Sequence, residues 1–151
     1  IASCLVGSEM CIRDRFYVHT GMIGLEGVKM SKSLGNLVFV HKLVEAGEDP
    51  SAIRLGVFAG HYRDERDWSD EVLEEAKRRL AAWREALAKP GSLAGAQAVV
   101  AKLRAAIAND LDTPSALAAV DDWAEGDRGA EEEGAADLVR TALNSLLGVQ
   151  A

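Results

Sequence analysis

The apolar and polar positions divide the chain near residue 69. Beyond it, three- and four-residue steps dominate. In "SDEVLEEAKRRLAAWREALA", Val72, Leu73, Ala76, Leu80, Trp83 and Leu87 recur on one face, which predicts an amphipathic helix opened by Ser69 as N-cap. Lys89-Pro90-Gly91 ends it. A second helix is predicted over roughly 94–108, with Val99, Leu103, Ala106 and Ile107 as its stripe. A third, in "NDLDTPSALAAVDDWA", takes Asp112 or Thr113 as its cap and Pro114 as its first helical residue, and carries Leu117, Val120 and Trp123 inward. "EGDRGAEEEG" (125–134) has no period and reads as a mobile loop; "AADLVRTALNSLLG" makes a final helix ending at Gly148.

Before residue 69 the periods are shorter. "FYVHTGMIGL" opens on aromatic and β-branched residues and predicts a strand entering a turn at Glu26-Gly27. The loop "VKMSKSLGN" follows, then "LVFV" (37–40), read as extended, and "HKLVEAG", a short helix stopped by Gly47. Asp49-Pro50 supplies a cap and a first helical proline for "SAIRLGVFAGHY". There Ile53 and Val57 share a face, and the small residues Gly56, Ala59 and Gly60 permit close packing. His61-Tyr62-Arg63 is expected to pack the loop region against the helices, and Asp64 to Asp67 to form a solvated turn. The fold class is therefore mainly α: a short strand-and-loop region joined near residues 49–69 to an antiparallel helical bundle.

Composition narrows the classes of function. A net charge of −7 over 151 residues argues against broad binding to a polyanion. "AKRRLAAWR" is basic, but at helical spacing it reads as a solvated face. No apolar run approaches a membrane span. Both cysteines, Cys4 and Cys11, lie in "IASCLVGSEMCIRDR". This segment has no initiator Met, no clear helical or strand pattern, and the wrong charge order for a secretory signal. It resembles the translation of a transposase-type sequencing adapter, so residues 1–15 are read as non-native read-through. The protein would then extend N-terminally of Phe16, and the remainder holds no cysteine for a disulfide or a thiolate metal site.

The candidate chemistry sits in "GLEGVKMSKSLGN" (24–36). Lys29 and Lys32 can face the same way if the segment makes one tight turn, and Gly27 and Gly35 bracket it with backbone freedom. Ser31 and Ser33 add hydroxyls. Two ammonium groups on a hinged loop suit a polyphosphate whose charge redistributes during reaction. Composition alone equally allows a plain exposed basic loop.

"KMSKS" followed by Gly-Asn resembles the second signature of the class I aminoacyl-tRNA synthetase superfamily. "VHTGMIGLEGVKMSKSLGNLVFV" with "DPSAIRLGVFAGHYRDERDWSDEVLEEA" is similar to the cysteinyl branch, and within it to the mycothiol-pathway cysteine ligases. "HTGMIGL" and "GNLVFV" discriminate best, and the resemblance covers residues 16–151. It implies that residues 16–68 are the C-terminal edge of a Rossmann-like catalytic domain and 69–151 a C-terminal helical bundle. It also implies an ATP-dependent ligase that activates L-cysteine as cysteinyl adenylate and joins it to the amine of glucosaminyl-inositol.

On that resemblance Lys29 and Lys32 are the catalytic pair, Lys32 foremost, stabilising the triphosphate. Met30, Ser31 and Ser33 shape the loop, Ile23 meets the nucleotide through its backbone, and His19 lies near it in sequence. Magnesium with ATP, and zinc in the full-length protein, are implied as well. The zinc ligands and the N-terminal ATP signature are absent from this chain, and His41 and His61 are not assigned in their place. The 151 residues are expected to be inactive alone; the full-length enzyme is expected to be a cytoplasmic monomer without membrane or nucleic-acid partners. Two other readings stay open. A cysteinyl-tRNA synthetase would continue into a more basic anticodon-reading region, whereas this chain ends just after a helix cap, as a natural terminus would. A helical interaction module could retain an inert signature loop.

Overall fold

The computed structural model describes residues 18–127, 129–130 and 132–151. The segment 1–15 and the aromatic start of the expected first strand lie outside the described residues. Three short strands, β1 (Ile23–Leu25), β2 (Val28–Lys29) and β3 (Arg66–Trp68), form one sheet in the order β2-β1-β3. β1 runs antiparallel to β2, with Gly24 opposite Lys29, and parallel to β3, with Gly24 opposite Asp67.

Between the strands, helix α1 (Val40–Glu45) and helix α2 (Pro50–Phe58) form the crossover. α2 starts as its sequence requires: the Asp49 side chain accepts from the Ser51 backbone N–H, and Pro50 needs no donor partner in the first turn. Burial pushes the Asp49 carboxyl up, but hydrogen bonds from Ser51 and Arg84 outweigh it and hold it below its ordinary value. The indole of Trp68 in β3 packs against Gly56; a Cβ there would stand 3.1 Å from its Cη2 and Cζ3. The Gly56 expected to admit a close neighbour does so, and Val57 of the predicted face is exposed instead of packed.

Four further helices follow: α3 (Asp70–Leu87), α4 (Leu93–Ala108), α5 (Thr113–Glu125) and α6 (Ala135–Ala142), the last widening into a π-helical turn at Leu143–Leu147. Ser69, Ser92 and Asp112 each accept a first-turn backbone N–H. Their apolar stripes meet in one core built from Leu80, Trp83, Leu103, Leu117, Val139 and Leu143, to which α2 contributes Ala52 and Leu55. A smaller cluster of Ile53, Trp68 and Leu73 joins the sheet to the start of α3, with Ile23, Met30, Val38 and Leu43 packed on it. The chain end is tied back: Val149 is buried, and the Gln150 backbone bonds to Ser51 and Arg84.

Three expectations change. Arg66 to Trp68 form a strand where a solvated turn was expected, because β1 offers its free edge to them; Arg66 N–H donates to the Met22 carbonyl at 3.1 Å. "LVFV" is cut short: Phe39 is extended as expected, at φ −99° and ψ 122°, but Val40 already begins α1. The loop 125–134 is tethered at Glu132, whose carboxylate accepts the Leu93 N–H at the start of α4 and whose own N–H donates to the Gly91 carbonyl.

The basic stretch of α3 is satisfied within the fold. Lys77 meets Glu48 and Glu74, Arg78 pairs with Glu75, Arg79 with Asp121 and Arg84 with Asp49. No helix among the described residues is long and apolar enough to cross a membrane.

Candidate functional site: a braced lysine loop beside a parallel strand pair

The loop is launched by a tight hairpin. Glu26 (φ 54°) and Gly27 (φ 73°) both lie in the left-handed region, the geometry of a two-residue turn that matches strand twist. Asp67 closes it from β3: its Oδ2 accepts the Gly27 N–H at 2.7 Å. Gly24 has no room for a side chain, since a Cβ would fall 2.4 Å from Asp67 Oδ1.

Downstream of β2, the chain folds over itself around Asn36. The Asn36 carboxamide accepts the Ser31 N–H at 2.9 Å and donates to the Lys29 carbonyl at 3.3 Å. Ser31 Oγ accepts the Leu34 N–H at 3.3 Å and lies 3.2 Å from Ser33 Oγ, while Gly35 N–H bonds back to the Lys32 carbonyl. Met30 anchors the segment by packing on the smaller core cluster, as does Ile23 from β1. Ser31, Met30 and Asn36 are thus structural elements of the loop, and Lys29 and Lys32 stand exposed on its rim. Neither lysine has an ion-pair partner among the described residues, in contrast to the paired cations of α3. His19 is exposed in the segment preceding β1.

On the other flank, the His61-Tyr62-Arg63 turn converges on Asp110, in the corner between α4 and α5. Arg63 Nε donates to Oδ2 at 2.7 Å and its Nη2 to Oδ1 at 2.9 Å, while the Tyr62 hydroxyl donates to Oδ1 at 2.7 Å. His61 Nε2 lies 3.1 Å from the Asp110 carbonyl oxygen. Arg63 first, then Tyr62, hold the Asp110 carboxyl well below the usual carboxylate range. Its contribution to stability is therefore complete above the ordinary value of about 4 and is lost as pH falls toward the depressed one. Thermal melts should show a wild-type advantage over Asp110→Asn that is constant at neutral pH and shrinks in acid. Sequence reasoning anticipated the packing role of residues 61–63 but not Asp110, which is 47 residues from Arg63.

Close by, burial lowers the pKa of the Arg66 guanidinium; its Nη2 donates to the Val57 carbonyl and its Nη1 is buried without a partner among the described residues. Among the described residues, no three His, Cys, Asp or Glu side chains gather as a metal site.

Residues 2–78 match the model of the tRNA synthetases class I (C) catalytic domain. The chain belongs to this class I synthetase family. The matched span begins inside the segment read as non-native and covers the sheet, the loop, α1, α2 and the first half of α3. Among curated proteins, this class I synthetase chain is similar to the L-cysteine:1D-myo-inositol 2-amino-2-deoxy-alpha-D-glucopyranoside ligase of Corynebacterium aurimucosum. The two are 66% identical over 136 residues, or 89% of this chain and 33% of the relative. It is also similar to the ligase 2 of that name from Corynebacterium jeikeium, at 58% over 137 residues, 89% of this chain and 33% of the relative. The Saccharomonospora viridis ligase of the same name is 57% identical over 142 residues, 89% of this chain and 34% of the relative. The chain spans about a third of the length of these curated relatives.

Proposed function

We propose that this chain is the part of an ATP-dependent carbon–nitrogen ligase that carries its phosphate-clamping lysine loop. In the full-length protein the L-cysteine carboxylate attacks the α-phosphorus of ATP, giving cysteinyl adenylate and pyrophosphate. The amine of glucosaminyl-inositol then attacks the activated carbonyl, the amide forms, and AMP departs with the electron pair of the broken C–O bond. Lys29 and Lys32 stabilise the negative charge that builds on the departing pyrophosphate, Lys32 being the stronger contributor. Met30, Ser31 and Ser33 shape the loop, and the backbone of Ile23 meets the nucleotide, with His19 beside it. Any zinc ligands that hold the cysteine thiolate belong outside the described residues. The enzyme acts as a cytoplasmic monomer on small molecules, and the 151 residues alone are inactive. Residues 1–15 are not native to it.

The observation that carries this reading is the pair of exposed lysines without described carboxylate partners, on a turn whose backbone is held by Asn36. The names of the relatives, at 57–66% identity, supply the substrate class. Cysteine-dependent exchange of pyrophosphate into ATP by the full-length protein tests the first half-reaction; no exchange, with cysteine and magnesium saturating, would remove the proposal.

Asn36 offers a second check. Asn36→Ala removes both hydrogen bonds that hold Lys29 and Ser31 in register. Misplacing a charge donor without deleting it is expected to slow adenylate formation by about tenfold, with the melting temperature unchanged because the loop is exposed. A wild-type exchange rate in that variant would mean that the Asn36 brace does not set the lysine geometry.

A further inference from the structure

The Asp110 corner has features that a plain helix–helix connection does not need. Asp110 (φ 54°) and Leu111 (φ 55°) are consecutive non-glycine residues in the left-handed region, and Leu111 is half exposed. Burial of Leu111 therefore does not explain why the chain holds this shape. Its own backbone bonds hold it in part, Leu111 N–H to the Ile107 carbonyl and Asp112 N–H to the Ala106 carbonyl, and donors from residues 61–63 add to them: a two-pronged guanidinium, a phenol and an imidazole.

The same turn and the start of β3 also bond to the residues just before β1. The Tyr62 carbonyl accepts the Gly21 N–H at 2.8 Å, and the Met22 carbonyl accepts the Arg66 N–H at 3.1 Å. Backbone meets backbone so closely that a Cβ on Gly21 would stand 2.2 Å from the Asp64 carbonyl oxygen. Displacing the 61–64 turn therefore displaces residues 21–23. Side-chain packing gives a separate link, with Ile23 on the Ile53, Trp68 and Leu73 cluster and Ala52 and Leu55 of the same helix in the bundle core. A cavity of about 410 Å³ separates the two parts, with Ile23 and Thr20 lining one wall and Leu111, Ile107 and Leu146 another. Of the residues that line it, His61 and Tyr62 bond to Asp110.

We propose that Asp110 is a positioning residue for the nucleotide-facing backbone: through Tyr62 and Arg63 it sets where Gly21 to Ile23 lie, and so how ATP is presented to the lysine loop. This role rests on the ligase reading above. Asp110 touches no reacting atom; it acts through the 61–63 turn from a helix corner outside the catalytic part of the chain.

The test uses the full-length protein with Asp110→Ala, Asp110→Asn and Tyr62→Phe, the last two being mild enough to keep the fold. Deuterium exchange over residues 18–25 and the kinetics of cysteine-dependent pyrophosphate exchange are measured together. The expected result is faster deuterium uptake at 18–25 with α3 unchanged, and a KM for ATP raised about tenfold in Asp110→Ala. The increase should be smaller in Asp110→Asn and Tyr62→Phe, and the KM for cysteine should not move. Unchanged uptake at 18–25, or increased uptake with an unchanged KM for ATP, would overturn the role and leave Asp110 a stabiliser of the helix corner. A wild-type protein without pyrophosphate exchange would count against the ligase reading instead; the deuterium result would then decide alone whether Asp110 holds residues 21–23.

Discussion

Lys32→Ala in the full-length protein is expected to slow adenylate formation by about 30- to 1000-fold, about 2–4 kcal/mol of transition-state energy, while leaving the melting temperature unchanged. The argument is electrostatic. Both loop lysines are exposed and have no carboxylate partner among the described residues, so no ion pair with a described residue must break before they meet a polyphosphate. The backbone around them is fixed by Asn36, Ser31 and the Asp67-clasped hairpin, so removing one ammonium removes charge without loosening the loop. Lys29→Ala should be the milder of the two. Single-turnover measurement of pyrophosphate release separates this step from acceptor transfer, and an unchanged rate for Lys32→Ala would take Lys32 out of the mechanism.

The second large effect concerns stability. Asp121→Ala is expected to destabilise the helical part by about 3 kcal/mol. Trp83 is fully buried, and its indole N–H donates to Asp121 Oδ1 at 2.7 Å. Arg79 Nε donates to Oδ2 of the same carboxylate at 2.9 Å, and both partners of that ion pair are mostly shielded from water. One truncation therefore orphans a buried N–H and a partly buried guanidinium together. Asp121→Asn should cost less, because an amide oxygen can still accept from the indole. Thermal melts should fall by about 10 °C for the alanine variant and by less for the asparagine. Equal melting of both variants with wild type would mean that α3 and α5 are joined by apolar packing alone.

What the sequence made legible was local. Asp49, Ser69 and Asp112 cap the helices assigned to them because capping is decided within three residues. The apolar stripe of α3 is buried at Leu73, Ala76, Leu80, Trp83 and Leu87, with only Val72 at its margin. Glu26-Gly27 turns as its residues suggest. What was hidden depends on distant partners. Arg66-Asp67-Trp68 lacks a strand's apolar alternation and is a strand only because β1 lies beside it. Asp110 and Asp121 look like ordinary surface acids in sequence, yet each accepts donors from an element about 40 residues or more away.

The site was legible in the same uneven way. The lysines and serines stood out by composition and spacing, whereas the roles of Asn36 and Met30 emerged from their contacts. Met30 faces the small core, which explains why an apolar residue stands between two lysine-bearing positions. Asn36 closes the turn across seven residues from Lys29, a contact visible only once the chain is folded.

The central claim is that the full-length protein uses the lysine loop to activate cysteine for a sugar amine. The most direct measurement supplies purified full-length protein with ATP, magnesium and L-cysteine, then offers glucosaminyl-inositol or cysteine-specific tRNA in parallel and analyses the products by mass. The account predicts AMP and the cysteinyl amide of glucosaminyl-inositol, with no charged tRNA. Charged tRNA without amide would contradict it.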